Sequence, residues 1–395
     1  MHKAGRHFLQ IPGPSPVPGR VLRAISKQTM DHRGPDFAEV GLTAIAGMKT
    51  IFKTKQRVFI YPSSGTGAWE AALVNTLAEG DKVVMYETGH FATQWKKMAS
   101  KLGIDAEFIE GDWRSGADAD RIEARLRQDS GHEIKAVCVV HNETSTGSVS
   151  PIAEVRRAID AAGHPALLMV DTISGLASID FQFDTWGVDV AVSGSQKGLM
   201  LPPGLSFNAV SDKAFEMSKT GGMRRSYWDW QDMDAINGSG YFPYTPGTNM
   251  LYGLNEAIAM LHEEGLDNVF ARHQRHGAAT RSAVRHWGLE VLCRQQGQES
   301  GVLTAVLMPE GHSADAFRAT TLQHYDLSLG NGLSKVADRV FRIGHLGDFN
   351  DLTLAGTLTG VELGLRKSGV PHTEGGVAAA MAVLETTQFD TVAAE

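Results

Sequence analysis

From Val58 onward the chain alternates short, continuously apolar runs with stretches of helical period. The strand-sized runs cover 58–61, 82–85, 107–109, 136–140, 166–170 and 188–192, and helical patterns fill 67–77 and 91–102. Unbroken apolar runs are how strands covered on both faces read, so the alternation predicts a mainly parallel, doubly wound α/β sheet. Ligands of such sheets sit beyond the carboxyl ends of the strands. The residues just after each run are therefore the ones to examine for function.

With 395 residues, the chain has room for roughly two domains. Residues 221–248 are rich in Gly, Tyr, Trp and Pro and read as a long functional loop. Helical patterns at 251–265 and 269–287, then short strands at 290–293, 302–308 and 340–343, predict a smaller C-terminal α+β domain. Prolines at 12, 14, 16 and 18 disfavour a helix and favour an extended stretch, either an arm across a partner subunit or a frayed terminus. The expected division is an arm at 1–25, a large domain at 26–255 and a small domain at 256–395.

Several function classes are disfavoured. A net charge of −8 argues against nucleic-acid binding, which wants a basic face. No apolar run reaches the ~18 residues of a membrane span. Two cysteines, Cys138 and Cys293, suit a reducing compartment, and residues 1–10 do not read as a secretory signal, so a cytoplasmic location is expected. His273 and His276 lack a carboxylate or cysteine at metal-ligand spacing and read as a solvated helix face, so no metal is expected.

Polar clusters follow the apolar runs. Ser63-Ser64-Gly65-Thr66-Gly67 opens a helix, where free N–H groups and the helix dipole can hold a single phosphate. The same residues also suit an ordinary turn capped by Ser64 or Thr66. They match neither a dinucleotide fingerprint nor a Walker loop. In His141-Asn142-Glu143-Thr144, Glu143 is either a base or a structural anchor. Asp171 ends the run at 166–170, and Lys197 lies in Ser-Gly-Ser-Gln-Lys-Gly just after the run at 188–192. An anion cradle, an aspartate and, 26 residues later, a lysine are what pyridoxal 5'-phosphate requires. Its phosphate needs the cradle, its aldehyde an amine, and its ring nitrogen a carboxylate that keeps it protonated.

The sequence resembles the class V, fold-type I pyridoxal-phosphate aminotransferases, most of all the serine–glyoxylate and alanine–glyoxylate enzymes. The resemblance spans nearly the whole chain through PGPSPVP (12–18), DHRGPDF (31–37), SSGTGAWEAALVNTL (63–77), HNETSTG (141–147), MVDTIS (169–174), SGSQKGLMLPPGL (193–205), YFPYTPGTNMLYGL (241–254) and VFRIGHLG (340–347). It implies that Lys197 holds the cofactor and moves the substrate proton. Asp171 would pair with the ring nitrogen, and Ser64, Gly65, Thr66 and Gln196 would bind the phosphate. Phe91 would stack on the ring and Thr144 would touch its oxygen. Tyr244 and Thr245 would reach the phosphate of a neighbouring subunit, making a homodimer with shared sites; a higher assembly stays open. Arg342 would fork onto the substrate carboxylate, and Gly13 would approach the substrate through its backbone.

The implied activity is ping-pong transfer of an amino group from a small L-amino acid, serine first, to glyoxylate, giving glycine and a 2-oxo acid. Aspartate or alanine are the alternative donors; an aspartate donor would need a second cation for its side chain, which Arg33 or His32 could supply, though serine-using relatives carry a similar DHR segment. A lyase of the same class and a cofactor-free binding module are the competing readings. Neither cysteine sits on a loop suited to desulfuration.

Overall fold

The computed structural model describes residues 4–386. β1 (Phe8–Gln10) is followed by α1 (Gly19–Ile25) and α2 (Pro35–Phe52). The alternating part then runs β2 (Arg57–Ser63), α3 (Gly65–Thr76), β3 (Lys82–Tyr86), α4 (His90–Lys101), β4 (Asp105–Ile109), α5 (Ala119–Arg127) and β5 (Ile134–Val140). A small hairpin, β6 (Asn142–Glu143) and β7 (Ser148–Val149), leads to α6 (Ile152–Ala161), β8 (Leu167–Asp171), β9 (Val190–Gly194) and β10 (Gly204–Val210). After α7 (Asp212–Thr220), α8 (Trp230–Asn237), α9 (Thr248–Glu264) and α10 (Leu266–His286), the chain ends its described part in β11 (Glu290–Val291), β12 (Leu303–Leu307), α11 (Ala314–Tyr325), β13 (Leu327–Asn331), β14 (Val340–Gly344), α12 (Asp351–Lys367) and α13 (Gly376–Thr386).

The large sheet has seven strands in the order β2-β10-β9-β8-β5-β3-β4. All neighbours are parallel except β10, which runs antiparallel to both β2 and β9. Every residue of β8 and β9 is buried, as the unbroken apolar runs require when helices cover both faces. Because β2, β3, β5, β8 and β9 point the same way, the segments 63–67, 87–91, 141–144, 171 and 195–197 gather at one edge. The second sheet has the order β1-β13-β14-β12-β11 and is antiparallel except for β1 beside β13. A small apolar cluster of Trp113 and Ile179 with Val302, Leu303, Val340 and Leu346 joins the two layers of structure. Among the described residues no helix is long and apolar enough to cross a membrane.

Four expectations need correction. Of the expected arm, residues 1–3 lie outside the described residues and 4–25 are not one extended stretch: 8–10 form a parallel edge strand on the second sheet and 19–25 form a helix packed on α9. Pro18 sits at the N-cap of α1, a position whose missing N–H costs nothing. The boundary at 255/256 falls inside the unbroken helix α9, and the two main cores meet along α10, between Val269 and Ala279. Residues 221–248 hold helix α8, capped by the Asp229 carboxylate accepting from the Gln231 N–H. His273 and His276 face the interior rather than solvent. His273 Nδ1 lies 2.7 Å from the Val269 oxygen, and its Nε2 accepts the Gly347 N–H at 3.1 Å. His276 Nε2 lies 2.9 Å from Asp351. Burial drives His276 down to about 4, the cost of charging an imidazole out of water. No group of metal-ligating side chains forms among the described residues.

Candidate active site

Most of the polar residues at the strand ends meet around one cavity of about 280 Å³. Gly13, Ser64, Gly65, Thr66, Phe91, Thr144, Asp171, Gln196 and Lys197 line it, with Pro14, Trp69, Val140, Asn142, Ile173 and Pro203. A roomier groove of about 440 Å³ between α3 and α4 shares Thr66, Trp69 and Phe91 but touches none of Lys197, Asp171 and Arg342. The chemistry therefore belongs to the smaller cavity.

Lys197 is only 8% exposed. Its ammonium donates to the Pro12 carbonyl. Its own carbonyl accepts from the Ser15 hydroxyl at 2.9 Å, while the Ser15 N–H donates to the Gln196 oxygen at 3.0 Å. Residues 12–15 thus lie directly over the lysine. Gly13 has φ +101°, and a side chain there would overlap Lys197. Burial lowers Lys197 to about 7; the charge of Arg342 adds to that and Asp171 opposes it.

Asp171, the last residue of β8, is 3% exposed. Burial pushes it up to about 7. Two N–H donors pull the other way: Ile173 at 2.7 Å to Oδ1, and the Trp69 indole at 3.0 Å to Oδ2.

Ser64 is the N-cap of α3, yet its side chain makes no capping bond. The Gly67 N–H donates to the Ser64 carbonyl at 2.9 Å, so it is the N–H groups of Gly65 and Thr66 that this turn offers to an anion. The Gln196 Oε1 is buried and accepts no hydrogen bond from the described residues. It lies close to this turn: a Cβ on Gly194 would stand 3.0 Å from it and 3.4 Å from the Gly65 nitrogen.

Glu143 resolves as an anchor. Its buried carboxylate accepts from the N–H groups of Phe91 (3.3 Å), Ala92 (3.2 Å) and Ser145 (3.0 Å) and from the Ser145 hydroxyl (2.6 Å). An anion at a helix N-terminus is favoured by the dipole and satisfies orphan donors. It holds the start of α4, and hence the Phe91 ring, at the cavity wall. Trp95, one turn further on, is buried away from the cavity and stacks on Trp69 at 6.0 Å.

Arg342 does not line the cavity itself. It is buried in β14, where Nε donates to the Asn331 oxygen at 2.7 Å and Nη1 to the Thr144 oxygen at 2.9 Å. Burial lowers it to about 10. Tyr244 and Thr245 also lie outside the cavity of their own chain. Tyr244 stacks on Tyr227 at 4.7 Å, and Thr245 is exposed. Arg33 is exposed too, and neither it nor His32 reaches the cavity wall.

The model of the aminotransferase class-V family matches residues 7–336. The chain belongs to the class-V aminotransferases. A serine–glyoxylate aminotransferase of Methylorubrum extorquens is 49% identical over 97% of this chain and 97% of that protein. An L-aspartate–glyoxylate aminotransferase of Paracoccus denitrificans is 44% identical over 94% of each. The crystal structure of pyridoxamine–pyruvate aminotransferase from Mesorhizobium loti superposes with a TM-score of 0.91 at 24% identity, covering 98% of this chain and all (100%) of that one, which shows the shared fold.

The cofactor of this aminotransferase is pyridoxal phosphate, and the cavity fits it. An uncapped helix N-terminus, a buried carboxylate and a buried amine of lowered basicity surround one space. Trp69, Asn142 and Ile173 were not singled out by sequence reasoning. Trp69 had a signal: it lies four residues after Gly65, hence on the same face of α3 as the glycine. Asn142 lies in the polar cluster that follows the run at 136–140, and Ile173 follows Asp171 by two residues; each had only its place after a run as a signal.

Proposed function

We propose that this protein transfers the amino group of a small L-amino acid, serine foremost, to glyoxylate by a ping-pong cycle, releasing glycine and a 2-oxo acid. The carrying observation is the grouping of Lys197, Asp171 and the α3 turn around one cavity in a chain nearly half identical, end to end, to a serine–glyoxylate aminotransferase. Bound pyridoxal phosphate supplies an electron sink for the carbanion formed at the donor's α-carbon.

The chain supplies the rest. Ser64, Gly65, Thr66 and Gln196 would hold the phosphate end, and Asp171 would pair with the ring nitrogen. Phe91 would lie against the ring and Thr144 would meet its oxygen. Lys197 Nζ, near neutrality once buried, binds the cofactor and later takes the α-proton of the donor. Arg342 receives the substrate carboxylate as a fork, and Gly13 lets the backbone of 12–14 come close to the substrate. In a homodimer, Tyr244 and Thr245 would complete the phosphate site of the partner. We place the enzyme in the cytoplasm, acting without metal, nucleic acid or membrane.

Serine is put first by the 49% identity to a serine-using relative over 97% of both chains. The aspartate reading is kept by the 44% identity to the aspartate-using relative. The test is a half-reaction screen: holoenzyme is mixed with serine, alanine, aspartate or glycine alone and its absorbance followed. Bleaching by serine, reversed by glyoxylate, supports the proposal. Bleaching by aspartate alone replaces the donor. Breakdown of the amino acid without a pyridoxamine spectrum makes the enzyme a lyase.

A further inference from the structure

We propose that Trp69 is a positioning residue for Asp171, its indole N–H locking the carboxylate in the orientation that meets the cofactor ring; this rests on the pyridoxal phosphate reading above. The two carboxylate oxygens are held separately, Oδ1 by the Ile173 N–H at 2.7 Å and Oδ2 by Trp69 Nε1 at 3.0 Å. With both oxygens anchored, the carboxylate plane cannot swing, and the lone pairs left over are aimed by the anchors. A buried carboxylate without donors would protonate or seek another partner. Lys197, whose charge Asp171 feels, is one such partner, and a direct pair would remove both groups from their roles.

The indole is itself held for this task. Trp69 is buried, and its ring lies against Trp95 at 6.0 Å with 12° between the planes. The Trp95 indole nitrogen has no partner among the described residues, whereas that of Trp69 is spent on Asp171. Trp69 also sits one turn after Gly65 in α3. One rigid helix therefore presents the phosphate turn at its tip and, about 6 Å along its axis, the donor for Asp171. The distance between the two ends of the cofactor site is set by helix pitch rather than by loops.

The test uses apoprotein and pyridoxamine 5'-phosphate, which binds without a bond to Lys197. Equilibrium binding is measured by fluorescence for wild type, Trp69→Phe, Asp171→Asn and the double variant. Removing a hydrogen bond to a buried charge should weaken binding about 10-fold in Trp69→Phe, but less than about 2-fold when added to Asp171→Asn, because the donor then has no carboxylate to hold. Equal weakening in both backgrounds, or none in either, overturns the proposal and leaves Trp69 a packing residue. If Trp69→Phe does not fold, a tryptophan analogue with sulfur in place of the indole N–H keeps both rings and decides the question by the same comparison. Failure of the wild-type apoprotein to bind pyridoxamine phosphate at all would sink the cofactor reading instead.

Discussion

Arg342 donates through Nη1 to the main-chain oxygen of Thr144, 2.9 Å away, so a strand of the second sheet is tied to a turn at the edge of the first. Nε is occupied by the Asn331 oxygen. The guanidinium is thereby fixed in plane, and its charge reaches Lys197, whose basicity it lowers. Arg342, the proposed receptor of the substrate carboxylate, thus also bears on the basicity of the lysine.

Replacing Arg342 by lysine keeps a positive charge but removes the fork. The KM for the amino donor should rise about 10–100-fold, the worth of one lost charge-assisted hydrogen bond, with cofactor content unchanged. Steady-state kinetics with serine and glyoxylate check this; an unchanged KM would show that the substrate carboxylate is received elsewhere.

The rate at which apoprotein captures pyridoxal phosphate should climb through pH 7 and level off above about pH 8. Only the neutral amine attacks the aldehyde, and Lys197 loses its proton near 7. A lysine of ordinary basicity would still gain rate at pH 10. Arg342→Met removes a charge that lowers Lys197, so its midpoint should move up in pH, whereas Arg342→Lys should move it little. Stopped-flow absorbance gives both midpoints.

Glu143→Gln tests the anchor. An amide offers one acceptor oxygen where the carboxylate served N–H groups of Phe91, Ala92 and Ser145. The apoprotein should lose about 1–3 kcal/mol and melt roughly 1–4 °C lower, and cofactor should bind more weakly as Phe91 loosens. Lost turnover with unchanged melting would instead make Glu143 a proton carrier.

Gly13→Ala should damage the site from above. Its φ of +101° disfavours any side chain, and the new methyl would overlap Lys197. Capture of pyridoxal phosphate should slow by about 10-fold or more as residues 12–14 are pushed outward, with a stability loss of roughly 1–3 kcal/mol. Capture at the wild-type rate would show that this segment lifts freely.

The parallel sheet and its functional edge were legible because both are local signals. Apolar runs such as 166–170 report burial on two faces, and Asp171 and Lys197 report their place by following those runs. β10 and β13 were not legible, since polar Ser206 and Asn208, or Ser328 and Asn331, interrupt their apolar pattern; pairing with distant strands makes them strands. The histidines at 273 and 276 misled because three-residue spacing says which residues share a helix face but not what covers it.

Residue types and their order along the chain were enough for a buried lysine, a carboxylate and an anion turn at successive strand ends. Tertiary structure alone decided that residues 12–15 close over Lys197, that Glu143 serves the helix carrying Phe91, and that Trp69 rather than a loop residue holds Asp171. These are contacts between segments tens to hundreds of residues apart. Their geometry depends on how helices sit on the sheet, and no sequence period encodes that.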